Sequence, residues 1–167
     1  MNVRAATEAD VDELTQIWHD GWHDAHARIV PAELVARRTL KSFRDRLCAG
    51  LSTVRVLQTH GPIAGLSMMR GDELYQFYLA ESFRGSGAAA ILMADAEARL
   101  AERGVEVAWL ACAIGNDRAA RFYEKCHWNR TGTIVTDSET TSGPFSLKVW
   151  RYEKTLITQQ DPVRPTK

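Results

Sequence analysis

The chain has 167 residues, with 45% hydrophobic and 25% charged side chains, and its 21 lysines and arginines balance 21 aspartates and glutamates. That length is one domain with enough interior for a core without staples, and that composition excludes disorder. Zero net charge excludes a global field drawing the protein to nucleic acid or an anionic membrane, so any anion site has to be local.

Residues 2–6 read as a short strand. Thr7, with Asp10 three residues on, makes a short capping box for a helix running to about Ala27 with Leu14, Ile17 and Trp18 inward. Pro31 starts a second helix, "PAELVARRTLKSFRDRLCAG", with Leu34, Val35, Leu40, Phe43 and Leu47 as a broken apolar stripe, and Gly50 ends it. Residues 52–70 are a hairpin: Val54, Val56 and Gln58 alternate with Thr53, Arg55 and Leu57, and His60-Gly61 sits at the turn. Residues 73–80, "ELYQFYLA", are apolar on both faces, as in a central strand. A glycine turn then opens a helix to about Arg103, closed by Gly104. Leu92, Ala96 and Leu100 form its buried face, and Asp95 pairs with Arg99 on the exposed one. Residues 106–113 are another buried strand, followed by a helix from Asn116. A long hairpin with a polar ten-residue bend near 136–145 completes a single domain at about residue 155, and residues 156–167 are expected to be a flexible tail. This order predicts an α/β fold: a mixed sheet with helices on both faces.

The three cysteines, Cys48, Cys112 and Cys126, are odd in number and lack metal spacing, so they read as reduced thiols. No apolar signal core opens the chain and no run approaches membrane-span length, which predicts a soluble cytoplasmic protein.

The stretch "RGSGAA" (84–89) carries the chemistry. Amides at a helix start are unpaired and the helix dipole adds positive potential there. Arg84 contributes charge, Gly85 and Gly87 let a phosphate come close, and Ala88, Ala89 and Ala90 keep the first turn narrow. The glycines alone are equally explained by a tight strand-to-helix connection. A P-loop is excluded, because no lysine followed by Ser or Thr comes after the second glycine. Gly85-x-Gly87-x-x-Ala90 matches a dinucleotide fingerprint literally, but Ala80 to Arg84 separate it from the strand and the next strand ends in "ACAIG" without an acid.

"FYLAESFRGSGAAAILMADAE" together with "NDRAARFYEKCHW" resembles the GNAT superfamily of acetyl-CoA-dependent N-acetyltransferases. Arg84, Gly87 and Ala89 meet the family's Gln/Arg-x-x-Gly-x-Gly/Ala pattern, and Asn116, Ala119, Ala120, Phe122, Tyr123, Glu124 and Lys125 match its second motif. The resemblance spans roughly 2–155, with 73–128 specific. His127 stands where the family usually has glycine, and Glu81 where proline is common. The resemblance implies a mixed, mostly antiparallel six- to seven-stranded sheet. It also implies acetyl-CoA as acyl donor and direct transfer to the primary amine of an acceptor in a ternary complex. Main-chain amides from Arg84 through Gly85, Ser86, Gly87, Ala88 and Ala89 to Ala90 would hold the diphosphate. Strand 73–80 would splay from strand 106–113 and pair with the pantetheine arm, a backbone N–H within Phe77, Tyr78 and Leu79 polarising the thioester carbonyl and Asn116 bonding the arm. Tyr123, two helical turns from Asn116, would be the general acid.

The base is less determined. One family position for a glutamate is Ala111 here; another, early in the strand before the glycine turn, is met by Glu73. Alternation would put Glu73 on one face with Tyr75 and Phe77, where aromatic company would raise its pKa. An exposed strand-end glutamate, or a water chain in place of any base, stays open. Trp22, His26 and Tyr75 are candidate acceptor contacts, and the 136–145 bend is a candidate cover for the same pocket. His19, His23 and His26 lie near one side of a helix but lack a partner acid or cysteine, so no metal is expected. Two other readings remain: a catalytically silent acyl-CoA-binding module of the same fold, and a dinucleotide-dependent oxidoreductase. Neither nucleic acid nor membrane is an expected partner, homodimer formation is left open, and the acceptor is not legible.

Overall fold

In the computed structural model, which describes residues 1–156, seven strands form one sheet: β1 Asn2–Ala5, β2 Val54–Gln58, β3 Ile63–Arg70, β4 Glu73–Leu79, β5 Val107–Ala113, β6 Asn129–Ser138 and β7 Phe145–Thr155. They lie in the order β1-β2-β3-β4-β5-β7-β6, and every neighbouring pair is antiparallel except β4 and β5. That exception follows from connectivity. The link from β4 to β5 runs through helix α4 (Ala88–Glu102), and such a crossover returns the chain in the same direction. The expected mixed, mostly antiparallel sheet with helices on both faces is therefore what forms.

Side-chain alternation sorts the two faces. Val54, Val56, Leu66 and Met68 pack with Leu14, Trp18, Leu34, Phe43 and Leu47 from α1 (Val11–His26), α2 (Ala32–Arg37) and α3 (Leu40–Ala49). Leu57 and Ala64 point the other way, onto Ala88 and Leu92 of α4. Met69, Leu74, Leu110 and Tyr152 meet α4 and α5 (Asp117–Lys125) on that same second face. Trp18 and Phe43, both fully buried with ring centroids 5.2 Å apart, anchor the first layer.

Local signals hold where the local reason is sufficient. The Thr7 N–H donates to Asp10 Oδ2 at 2.8 Å, the capping box the spacing predicts, and Arg4 clamps the same carboxylate with bonds of 2.7 and 2.8 Å. Three expectations are corrected. The helix expected over 31–50 is two helices. Thr39 caps the second, accepting from the Ser42 N–H at 3.2 Å, while Arg38 leaves helical geometry and turns inward. This explains the broken stripe: Leu34 belongs to α2, Phe43 and Leu47 to α3, and Leu40, the first residue of α3, is 46% exposed. Asp95 does not face solvent with Arg99 as its main partner. Arg55 of β2 takes both its carboxylate oxygens at 2.9 and 3.0 Å, while Arg99 stands 3.9 Å away. The bend near 136–145 is shorter than expected, since β6 and β7 stay paired out to Ser138 and Phe145. Leu156 is buried and its N–H donates to Glu106 O at 2.8 Å; the rest of the expected tail lies outside the described residues.

His127 follows α5 with φ +64°, the left-handed conformation that glycine adopts without a Cβ penalty. His127→Gly is therefore expected to stabilise the fold by about 0.5–1 kcal/mol, the released strain outweighing the extra unfolded-state entropy. Thermal unfolding should shift upward by roughly 1–4 °C. A lower midpoint would mean that contacts of the imidazole outweigh its backbone strain.

Candidate active site

β4 and β5 pair at a single register point, Glu73 opposite Trp109, after which they separate. β5 keeps its pairing with β7 throughout, so the open edge belongs to β4. The splay expected between residues 73–80 and 106–113 is present. A second irregularity accompanies it. β3 pairs Met69 with Leu74 but Met68 with Gln76, so Tyr75 is an extra residue on β4. The bulge resets alternation. Tyr75 and Tyr78 pack toward the α1–α3 layer, while Phe77 stacks on Phe122 of α5 at 5.6 Å. Glu73 and Tyr75 thus share a face, and Phe77 does not; the expectation that all three lie together is corrected. Ala80 N–H donates to Ala64 O at 2.9 Å. Alternation from that bond turns the N–H groups of Phe77 and Leu79 away from β3, into the gap.

A cavity of about 270 Å³ follows this open edge. Tyr78 and Leu79 of β4, Cys112 of β5, and Asn116 and Tyr123 line it, and Arg84, Gly85 and Ala89 close one end. Gly85 and Gly87 have φ of +75° and +85°, and Gly87 is the residue before the first turn of α4. The N–H groups of Gly85, Gly87 and Ala89 donate to no acceptor among the described residues, and that of Ala88 reaches only Ser86 Oγ at 3.4 Å. Ser86, Gly87 and Ala90 lie beyond the cavity wall and are exposed, and the Ala88 methyl is buried in the core. An anion set against this turn would meet these amides, with the Arg84 side chain beside them.

Two ion pairs at this end escaped the sequence reading. Asp24 of α1 takes Arg84 at 2.9 Å and Arg118 at 2.8 Å on the same carboxylate oxygen. Those arginines hold its pKa below the usual carboxylate range, Arg118 foremost. Gly21, one helical turn earlier, lets α1 approach: a Cβ there would stand 2.8 Å from Tyr78 Cδ1. Only the three-dimensional contact reveals either role.

Asn116 caps α5 through Oδ1, which accepts the Ala119 N–H at 3.3 Å. Its amide nitrogen lacks a described acceptor. Tyr123 lies two turns along the same helix, its ring 5.8 Å from those of Phe122 and Tyr152. Its hydroxyl makes no hydrogen bond among the described residues, and burial pushes its pKa well above the usual phenol value. Cys112 in the same wall is pushed up to about 12 by burial.

A second cavity, about 380 Å³, lies on the other side of the gap. Trp22, His26, Glu73 and Tyr75 line it together with Arg38 and Arg46, and the facing ends of β6 and β7 cover it through Thr136, Ser138 and Leu147. His26, Tyr75, Gln76, Ala111 and Ala113 border both cavities, so the two meet at the strand gap. Ala111, where a family glutamate would stand, is a small side chain at that junction. Burial raises the Glu73 carboxyl to about 6, with Arg70 opposing and Asp72 adding. His26 Nδ1 donates to the Trp22 carbonyl at 2.9 Å, which leaves Nε2 as an acceptor. Burial lowers its pKa to about 4, so it is neutral. His23 donates to Arg38 O at 2.7 Å and His19 meets Asp20 at 2.8 Å. No three His, Cys, Asp or Glu gather to hold a metal ion among the described residues, and no described helix is long and apolar enough to cross a membrane.

The comparisons with known proteins agree with this geometry. The family model for the acetyltransferase (GNAT) family matches residues 11–128, more than half of the chain. An uncharacterized N-acetyltransferase of Mycobacterium tuberculosis H37Rv is 35% identical over 112 residues, covering 64% of this chain and 69% of that protein. Among solved structures, a GCN5-related N-acetyltransferase from Rhodopseudomonas palustris superposes with a TM-score of 0.72 at 17% identity, over 93% of this chain and 95% of the other. The PaiA N-acetyltransferase of Thermoplasma acidophilum, solved in complex with coenzyme A, gives 0.65 at 16% identity over 92% and 98%. The chain belongs to the GNAT acetyltransferase family.

Proposed function

We propose that the protein transfers an acetyl group from acetyl-CoA directly to a primary amine bound on the opposite side of the β4–β5 gap. The observation that carries this reading is the open edge of β4 with a cavity on either side meeting through it. The diphosphate of coenzyme A docks on the amides of Gly85, Gly87 and Ala89, and Arg84 exchanges Asp24 for phosphate oxygen. The pantetheine arm pairs with the free edge of β4 and with the amide nitrogen of Asn116. The N–H of Phe77 or Leu79 donates to the thioester oxygen and strengthens that bond as negative charge develops.

The amine approaches from the second cavity. An alkyl ammonium has a pKa of ~10.4 and has to lose a proton before it attacks. Glu73, ionised above pH 6, accepts that proton directly or through one water. The amine nitrogen bonds to the carbonyl carbon and sheds its second proton to solvent, the carbon–sulfur bond breaks, and the departing thiolate takes the phenolic proton of Tyr123. The products are the acetamide and free coenzyme A. The tyrosine is restored by return of that second proton through solvent and Glu73 releases the first, so one proton is released for each ammonium consumed.

Acetyl-CoA at a hundredfold excess over its Kd should raise the unfolding midpoint by about 5–10 °C, from ~2.7 kcal/mol of linkage in a chain of this size. NADH should leave it unchanged, and thiol release should appear when amines are added. Stabilisation by NADH alone would overturn the reading. Stabilisation by acetyl-CoA without thiol release across a broad amine panel would make the protein a silent binding module.

A further inference from the structure

The second cavity carries more cationic than acidic charge. Arg38, Arg46 and Arg70 line it with Glu73. Asp137 also borders it but is exposed and accepts from Ser146 Oγ at 2.7 Å. Arg70 faces Glu139 at 3.6 Å, with its guanidinium 3.6 Å from the Tyr75 ring centre. Arg38 and Arg46 form no ion pair with a carboxylate among the described residues. Arg38 is 4% exposed, gives one Nη to the Glu139 carbonyl, and its buried Nε finds no acceptor. Arg46 gives Nη2 to the Tyr75 hydroxyl at 2.7 Å, and its Nε is likewise buried and unpartnered. Aromatic faces hold both guanidiniums: Trp18 lies 4.6 Å from Arg46, and Trp22 lies 5.8 Å from Arg38.

Stacked guanidiniums keep their N–H edges for a partner, and that planar fork matches the two oxygens of a carboxylate or the oxygens of a phosphate. A buried cation without a counter-ion is costly, so buried Arg38 beside half-buried Arg46 in one cavity asks for an anion that the described residues do not supply. Glu73 is not that anion: it makes no ion pair with either arginine. The cavity is of small-molecule size.

We propose that the acceptor is a small amine bearing a carboxylate or phosphate, its anionic group held by Arg38 and Arg46 and its amine directed to the gap beside Glu73. This rests on the acetyl-transfer reading above. The anion fixes one end of the acceptor, so the amine at the other end arrives oriented for attack. A neutral amine of the same size fills the space but leaves both arginines unpaired.

The experiment uses the full chain with saturating acetyl-CoA and follows thiol release with matched acceptors: α-amino acids, their carboxamides, the corresponding aminoalkylphosphonates, and peptides with free N-termini. The anionic amines should exceed their carboxamides in kcat/KM by about 10–100-fold, as expected for loss of a charge-assisted pair. The ratio of amino acid to phosphonate then identifies which anion the site prefers. Arg46→Gln should raise KM for the preferred anionic acceptor by a similar factor with kcat within a few-fold, and so remove most of its advantage over the carboxamide. Arg38→Gln should do the same if it folds, and Arg46→Gln keeps the test decisive if it does not. Equal or faster turnover of carboxamides or peptide N-termini, or no turnover of any anionic amine, while acetyl-CoA still raises the unfolding midpoint, overturns the anionic acceptor. Absence of acetyl-CoA binding removes the transferase reading instead, so the two failures are distinguishable.

Discussion

Tyr123→Phe is expected to lower kcat by about 10²–10⁴-fold, the range for loss of a general acid, with acetyl-CoA affinity nearly intact. The ring of Tyr123 packs against Tyr152 and Phe122, and phenylalanine keeps that packing. What disappears is a hydroxyl that no described group occupies, in the wall of the cavity along β4. Its raised pKa keeps it protonated at neutral pH, which a donor requires, but also makes it a weaker acid. The environment resolves this tension. Burial pushes the Cys112 thiol, in the same wall, to about 12, so the low polarity there raises thiols as well as phenols. On the proposed mechanism the leaving thiolate meets the same low polarity, which would shift donor and acceptor together. Tyr78 is the informative control: it is a second tyrosine bordering the same cavity, and burial raises its pKa as well. A loss confined to Tyr78→Phe, with Tyr123→Phe at full rate, would move the acid from α5 to β4.

The features legible in the sequence are those with a local cause. Two glycines before an alanine-rich helix need no partner to specify a left-handed turn with free amides, and Asn116 needs only its own helix to be a cap. The strand splay entered by resemblance and is present. The bulge at Tyr75 was not legible, because it is a property of how Met68 and Met69 of β3 align with β4. Simple alternation therefore misplaced Phe77. The break at Arg38 and Thr39 was hidden for a related reason. Both residues tolerate a helix, and what turns Arg38 inward is tertiary: the His23 bond to its carbonyl and the Trp22 face under its guanidinium. Asp24 carries no local signal of its role, because only the fold sets it between Arg84 and Arg118. The geometry of the candidate site was thus readable where backbone chemistry makes it and unreadable where long-range charge pairing does.

Glu73→Gln should separate catalysis from stability in opposite directions. In the wild type, kcat/KM should rise with pH along a limb of apparent pKa near 6, the value to which burial raises this carboxyl. That limb lies well below the ~10.4 of an alkyl ammonium, so the two titrations can be told apart. The glutamine variant should lose the lower limb and roughly 10²-fold or more in rate at neutral pH. The stability effect has the other sign. A carboxyl whose folded pKa exceeds its unfolded value binds more protons when folded between those values, so stability falls as pH rises from about 4.5 to about 6. Glutamine carries no charge to desolvate. The variant should therefore be more stable than wild type by about 1–2 kcal/mol at pH 7.5, with the advantage gone near pH 4. A merely structural glutamate would show the stability gain alone, with the rate and its lower limb retained. In that outcome the base role passes to His26 Nε2 at the cavity junction, or to water.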